Sequence, residues 1–340
     1  MKKEIESRGQ ESRGQTFETL YFGGGTPSIL DVQELESLVA KVHEHFRLRA
    51  GAEVTLEANP DDLDKEKLRH LKGLGFNRLS IGVQSFDDKE LEYLGRVHSS
   101  QEAVNAIENA KLVGFTDLTI DLIYGIQVSN EETWQENLHW LNRLQLPHFS
   151  AYVLTVEPKT PLNYKIRKGL KKDVDDDLVV QQYELLKEFT RSHRFEHYEI
   201  SNFARDGRYA VHNSNYWKQK PYIGIGPSAH SYDGKTRRWN KHVNREYIEA
   251  VGAGGQWFEE EKLSAKDRFN EYLMLSLRTI WGTNLEKLFE IYPAAGSESF
   301  MRQLEYYEMQ DWVGVVDQVL KLTREGILFS DRIISKLFLD

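Results

Sequence analysis

The sequence predicts an α/β protein with a parallel sheet, open or rolled into a barrel, followed by a smaller helical region at the C-terminus. Short apolar segments typical of strands alternate with longer segments whose apolar residues recur at helical spacing. From about residue 264 onwards helices dominate, with predicted spans of 266–279, 284–291 and 298–308. Regular alternation of strands and helices is typical of βα units, which build parallel sheets.

The predicted elements follow one another at regular spacing. Strands are expected over residues 16–22, 53–57, 78–83, 118–123 and 148–154. Helices are expected over residues 31–46, 61–74, 88–94, 100–113, 131–144 and 175–193, and glycines such as Gly75 and Gly114 stand where helices should end.

The two ends of the chain differ from this core. Residues 6–10 are repeated directly as residues 11–15, and this polar copy has no apolar face, which predicts a disordered lead-in over residues 1–15. We expect the α/β domain to cover residues 16–260. Residues 261–340 are expected to form a small winged-helix-like domain, with a short strand pair before the last helix.

Composition excludes several classes of site. The chain has 340 residues and no cysteine, which excludes disulfides, thiolate metal sites and cysteine nucleophiles within it. The net charge of −9 argues against broad nucleic-acid binding, which needs a basic surface. No apolar run is long enough for a membrane span and no signal peptide is evident, so we expect a cytoplasmic protein. Peripheral membrane contact stays open.

The most informative segment is the glycine-rich turn Tyr21–Pro27 between the first strand and the first helix of the α/β region. Three glycines allow the backbone to approach a ligand closely and to direct its N–H groups at it. Thr26 can bond locally or to the ligand. The alternative is a tight βα turn without any ligand.

Polar residues also stand at the ends of successive predicted strands. Glu57, Gln84, Asp121 and Tyr152 are placed in this way. The carboxyl ends of parallel strands carry the ligand in α/β folds, and a carboxylate in a buried strand needs a partner. A cationic or hydroxyl-rich ligand is therefore expected at this edge of the sheet.

These motifs together resemble a known group, the radical S-adenosylmethionine (SAM) proteins related to oxygen-independent coproporphyrinogen III oxidase. The motifs that carry the resemblance lie at 23–27, 57–60, 80–86, 94–98, 121–125 and 150–152. The segment His212–Trp217, HNSNYW, resembles the HNxxYW signature of the HemW-type heme chaperones within that group. The resemblance implies a partial radical SAM (β/α) barrel that lacks its first strand, a heme- or substrate-binding extension, and the C-terminal domain of the group.

The resemblance also implies roles for individual residues. SAM would be bound by Gly24, Gly25, Thr26, Glu57, Gln84, Arg96 and Asp121. Heme would be bound by His212, Asn213, Tyr216 and Trp217. His212 is the candidate ligand to the heme iron, His230 is its rival, and His98 is expected at the SAM end.

The chain departs from the group at the iron–sulfur cluster. The CxxxCxxC motif that holds the [4Fe–4S] cluster in the family is absent, so the cluster has no known anchor here and we expect no radical chemistry and no catalytic residue. The chain is then either an N-terminally truncated or mis-started form, which we favour and in which Lys2–Glu6 is the candidate remnant of a helix, or a degenerate homologue. An unpaired edge on the strand at Thr16 should then lower solubility relative to a longer form.

Four functional hypotheses follow. The HNSNYW segment favours a heme chaperone that binds heme and delivers it to apo-proteins. The alternatives are an oxygen-independent coproporphyrinogen III oxidase-like enzyme, a SAM-binding module without catalysis, and an α/β protein with an unrelated sugar or phosphate ligand. Whether the chain is an enzyme stays open at this point.

Overall fold

The computed structural model describes residues 1–293 and 298–339. Its main sheet has seven strands in the order β1-β2-β3-β4-β5-β7-β6. The first five are parallel, whereas β7 runs antiparallel to β5 and β6 antiparallel to β7. The strands are β1 Thr16–Phe22, β2 Arg47–Ala58, β3 Arg78–Gln84, β4 Asp117–Tyr124, β5 His148–Val153, β6 Glu196–His197 and β7 Asn202–Ala204.

Helices connect these strands and begin at capping residues. Asp31 accepts a hydrogen bond from the backbone N–H of Glu34 in a capping box, and Gly114 ends another helix in the left-handed conformation. The helices up to residue 217 are α1 Lys2–Glu11, α2 Val32–His45, α3 Lys65–Gly73, α4 Asp88–Leu94, α5 Ser100–Val113, α6 Glu131–Arg143, α7 Pro161–Arg167, α8 Asp176–Ser192 and α9 Val211–Trp217.

The two faces of the main sheet differ in chemistry because side chains alternate along each strand. On one face, buried apolar residues such as Leu56, Ile81, Ile120 and Phe149 pack in a core with residues of the connecting helices. On the other face lie mostly polar side chains, among them Thr19 of β1. We call this second face the polar face. The α/β class and the parallel sheet are confirmed.

Residues 2–11 form helix α1, where disorder was predicted for residues 1–15. The side chain of Ile5 is 2% exposed and packs with Val42 and Phe46. The carboxylate of Glu4 is buried and accepts hydrogen bonds from the Gly226 backbone N–H at 2.8 Å and the Asn240 amide at 2.6 Å. The repeat has no apolar face of its own, and the helix is ordered by Glu4 and Ile5, which contact residues distant in sequence on α2 and beyond α9.

A second, antiparallel sheet follows α9. Its strand order is β10-β9-β8, and the isolated bridge between Tyr222 and Tyr232 extends it towards α9. Its elements are β8 His230–Tyr232, β9 Thr236–Asn240, α10 Asn244–Ala253 and β10 Phe258–Lys262. The predicted domain boundary at residue 260 falls inside β10, and the boundary itself stays a prediction.

The C-terminal region is mainly helical, as predicted, and has a core of its own. Buried Phe269, Leu273, Leu288, Leu320 and Ile333 belong to this core. A three-stranded antiparallel sheet in the order β11-β13-β12 accompanies the helices. The elements are α11 Ala265–Ser276, β11 Thr283–Asn284, α12 Leu285–Ile291, α13 Glu298–Met309, β12 Val313–Val316, β13 Val319–Leu322 and α14 Ser330–Leu337. Residues 294–297 and 340 of the predicted C-terminal domain lie outside the described residues.

Candidate functional site

The glycine-rich turn lies directly after β1 and contacts the end of β2. Gly24 and Gly25 have φ angles of +78° and +69°, which glycine adopts without strain. The backbone N–H of Gly24 donates a hydrogen bond to Glu57 Oε2 at 3.0 Å. A Cβ on Gly23 would lie 2.8 Å from Glu57 Oε1 and would also collide with the Tyr21 ring. The turn therefore needs glycine for its conformation and for its close contact with β2.

Glu57 is the residue of β2 around which this edge of the sheet is organised. Its Oε1 accepts a hydrogen bond from the Tyr21 hydroxyl at 2.6 Å, while Oε2 accepts the bond from Gly24. A carboxylate offers about four acceptor positions, so Glu57 keeps capacity for a further donor. This arrangement suits a cationic group of a ligand.

Gln84 and Arg96 lie beside each other at the end of β3. Gln84 has a φ angle of +67°, unusual for a residue other than glycine. A Cβ on Gly82 would lie 3.0 Å from Gln84 Nε2 and 3.2 Å from Arg96 Nη2. The Arg96 guanidinium donates to Asn59 Oδ1 and to the Gly82 carbonyl, each at 3.0 Å. These contacts hold a cation and an amide side by side.

Asp121 completes the group from β4. Burial, together with the nearby Glu57 carboxylate, raises the pKa of the Asp121 carboxyl to about 6, although Ser150, Arg78 and Arg96 oppose the shift. Glu57 and Arg96 thus both act electrostatically on Asp121. The structure therefore brings Gly24, Glu57, Gln84, Arg96 and Asp121 to one edge of the sheet. Gly25 and Thr26 continue the same turn.

His98 is buried next to this group. Its Nε2 forms a hydrogen bond of 3.0 Å with the backbone carbonyl of Val83, one residue before Gln84. Its Nδ1 lies 3.8 Å from Asp61 Oδ1. Both ring nitrogens face protein groups, so His98 supports the end of β3.

His212 lies at the start of α9 and packs on the polar face of β1. A hydrogen bond of 2.8 Å joins its Nδ1 to Thr19 Oγ1, and one of 3.2 Å joins its Nε2 to the Tyr216 hydroxyl. The imidazole stacks on the Tyr21 ring, with centroids 4.5 Å apart and an angle of 14° between the planes. Burial lowers the pKa of His212 to about 4, so the ring is neutral near pH 7.

His212 belongs to a row of aromatic rings. Successive centroids are 5.0 Å apart from His212 to Tyr216, 4.7 Å from Tyr216 to Tyr222, and 6.3 Å from Tyr222 to Tyr232. With Tyr21 at the other end, these five residues form what we call the aromatic row. It leads from β1 to β8, and beyond His212 the successive rings meet edge-to-face or tilted.

Other predicted heme-binding residues of α9 face different groups. The Asn213 amide donates to Glu199 Oε1 at 3.4 Å. The indole N–H of Trp217 is buried and has no hydrogen-bond partner among the described residues. His230, the rival ligand, is exposed at the start of β8.

Sequence reasoning missed three residues that position this site. Glu53 accepts hydrogen bonds from the backbone N–H groups of Val211 and His212, each at 2.8 Å, and so caps α9. Thr19 and Tyr21 hold the imidazole. The alternation of side chains along each strand could have found them. Glu53 and Glu57 lie on one face of β2, and Thr19 and Tyr21 lie on one face of β1.

The residues present do not fit a [4Fe–4S] cluster held by thiolates, because the chain has no cysteine. Within residues 1–293 and 298–339, no group of three or more His, Asp or Glu side chains is placed to hold a metal ion. No helix in the described part of the chain is long and apolar enough to cross a membrane.

The chain is similar in sequence to several known proteins. A family model described as the radical SAM superfamily matches residues 1–141. The heme chaperone HemW of Bacillus subtilis is 31% identical over 317 residues, which cover 93% of this chain and 84% of that protein. HemW of Mycobacterium tuberculosis is 35% identical over 289 residues, covering 85% of this chain and 74% of that protein.

A mitochondrial protein and a solved structure extend the comparison. The radical S-adenosyl methionine domain-containing protein 1 of Bos taurus is 37% identical over 330 residues, covering 92% of this chain and 70% of that protein. The coproporphyrinogen III oxidase HemN of Escherichia coli superposes with a TM-score of 0.85 over 99% of this chain and 81% of that chain. At 21% identity, this match shows the fold. The chain belongs to the HemW family of radical SAM proteins.

Proposed function

We propose that this chain binds heme and delivers it to apo-proteins. The observation that carries the proposal is the aromatic row, in which one neutral imidazole lies among four tyrosine rings. A flat apolar ligand with a metal centre needs aromatic surface and an axial ligand, and a neutral imidazole is a common ligand to iron. The relatives of this chain named HemW are heme chaperones.

The hydrogen bonds of His212 select the nitrogen that would meet iron. Nδ1 is held by Thr19 within the polar face, whereas Nε2 is directed to Tyr216, whose side chain is 40% exposed. A partner on Nδ1 fixes the ring and leaves Nε2 as the ligating atom. Rotation of the Tyr216 side chain into solvent would free Nε2 for the ligand.

We further propose that SAM binds at the edge formed by Gly24, Glu57, Gln84, Arg96 and Asp121. The residues present fit this group, because the ammonium of SAM needs an acceptor such as Glu57 and its carboxylate needs a cation such as Arg96. Gln84 and Asp121 supply partners for the ribose hydroxyls. Gly25 and Thr26 would line the amino-acid part of SAM.

The oxidase alternative has weaker support. Its basis is the shared fold with HemN and not a residue specific to that reaction. No step that depends on a cluster is proposed for this chain. A cytoplasmic location and the absence of a nucleic-acid partner stay predictions of the sequence.

A transfer assay tests the proposed function. The purified chain is loaded with hemin and mixed with apomyoglobin, and the Soret band reports the movement of heme. We expect the unaltered chain and the control His43→Ala, which changes an exposed histidine of α2, to bind hemin and release it to apomyoglobin. His212→Ala should fail to retain hemin. Absence of saturable hemin binding by the unaltered chain would contradict the proposal.

A further inference from the structure

Tyr21 contacts both candidate sites at once. Its hydroxyl donates to Glu57 Oε1 at 2.6 Å, and its ring stacks on the His212 imidazole at a centroid distance of 4.5 Å. Successive contacts therefore connect Glu57, Tyr21, His212 and the hydroxyl of Tyr216, a residue that is 40% exposed. Because Tyr21 contacts both Glu57 and His212, a movement of Glu57 can reach the imidazole through this one side chain.

The Tyr21 ring is in close contact with its neighbours. A Cβ on Gly23 would collide with the ring, so the turn lies in close contact with it on one side, and the imidazole covers one of its faces. Burial, followed by the neighbouring Glu57 carboxylate, raises the pKa of the Tyr21 hydroxyl well above its ordinary value. Tyr21 therefore stays a neutral donor, and its partner is the carboxylate proposed to bind the ammonium of SAM.

We infer that Tyr21 is a positioning residue that makes the heme affinity of His212 depend on occupancy of the Glu57 site. This inference rests on the proposed function. Glu57 has acceptor positions beyond those used by Tyr21 and Gly24, so an ammonium can join without displacing Tyr21. The ammonium gives Glu57 a third hydrogen bond, which restrains the carboxylate. The carboxylate then restrains the Tyr21 ring through their hydrogen bond, and the ring restrains the His212 imidazole through stacking. Heme then binds a site that is already ordered and affinity rises.

Reciprocal titrations test this coupling. The hemin Kd of the full chain is measured by the Soret band with and without saturating SAM, and the SAM Kd is measured with and without hemin. We expect SAM to lower the hemin Kd about fivefold or more, and hemin to lower the SAM Kd by the same factor, because coupling between two sites is reciprocal.

Three variants separate coupling from general damage. Tyr21→Phe keeps the ring and its stacking but loses the bond to Glu57, so the ratio of its hemin Kd without SAM to its hemin Kd with SAM should fall to about twofold or less, whatever the basal Kd of this variant. Tyr164→Phe, at a tyrosine that is 61% exposed, is the matched control and should keep the full effect. Thr19→Val removes the partner of His212 Nδ1, and should weaken hemin binding yet keep the response to SAM.

The possible failures are distinguishable. If the unaltered chain binds both ligands with independent affinities, or if Tyr21→Phe keeps the full SAM effect, the coupling through Tyr21 is wrong and the proposed function stands. If the unaltered chain does not bind hemin at all, the proposed function fails and the coupling fails with it.

Discussion

Replacing Glu53 with glutamine should loosen the helix that carries His212. Glu53 is 8% exposed, and its two oxygens accept the first backbone N–H groups of α9, from Val211 and His212, each at 2.8 Å. Hydrogen bonds to a charged group are worth about 1.5–3 kcal/mol each. The glutamine amide keeps one neutral acceptor and turns a donor towards the second N–H. We therefore expect Glu53→Gln to destabilise α9 by about 2–4 kcal/mol.

Amide hydrogen exchange measures this effect where it arises. A loss of 2–4 kcal/mol corresponds to a drop in protection of about 30- to 1,000-fold at amides near the start of α9. The matched control is Glu44→Gln, which removes an exposed carboxylate paired with Lys41 at 3.0 Å and should change stability by about 0.5 kcal/mol or less. Equal protection of α9 in the two variants would refute the capping role of Glu53.

Three further outcomes follow from the site. Gly23→Ala should weaken SAM binding about tenfold or more and cost about 1–3 kcal/mol in urea unfolding, because its Cβ would lie 2.8 Å from Glu57 Oε1, whereas Gly73→Ala has open space and should do neither. Asp121→Asn should raise the Tm more at pH 7.5 than at pH 4. Burial raises the pKa of this carboxyl to about 6, so its ionised form destabilises the fold above pH 6, and this penalty is lost as the pH falls towards about 4. Equal gains in Tm at both pH values would contradict the raised pKa of Asp121. Hemin affinity should be constant from pH 6 to 8 and fall near pH 4, where His212 takes up a proton; a decline centred near pH 6.5 would be inconsistent with the burial of this ring.

The sequence alone was sufficient to predict the parallel sheet, because the patterns that mark strands and helices involve residues close together in the chain. The prediction of a strand over residues 16–22 matches β1, and the strand predicted over residues 78–83 is one residue shorter than β3. Short apolar segments between segments of helical spacing predicted the strands. Polar residues at successive strand ends, such as Glu57 and Asp121, were expected to lie together, and the parallel order of the strands brings them together.

The remaining features depend on contacts between residues distant in sequence. Helix α1 is ordered by Glu4 and Ile5, whose partners lie in α2 and in the segment after α9. The cap of α9 comes from Glu53, about 160 residues earlier. Propensity and local capping rules consider only neighbours in sequence, so they give no reason to connect these residues. The aromatic row likewise requires β1 and α9 to meet.

A hemin titration of the purified chain, followed at the Soret band, shows whether His212 holds heme. The unaltered chain, His212→Ala and His230→Ala are compared at the same pH. We expect saturable binding by the unaltered chain, an unchanged Kd for His230→Ala, and a Kd raised about tenfold or more for His212→Ala, because loss of the axial ligand removes at least about 1.4 kcal/mol. Equal affinities for all three would contradict a heme site at His212.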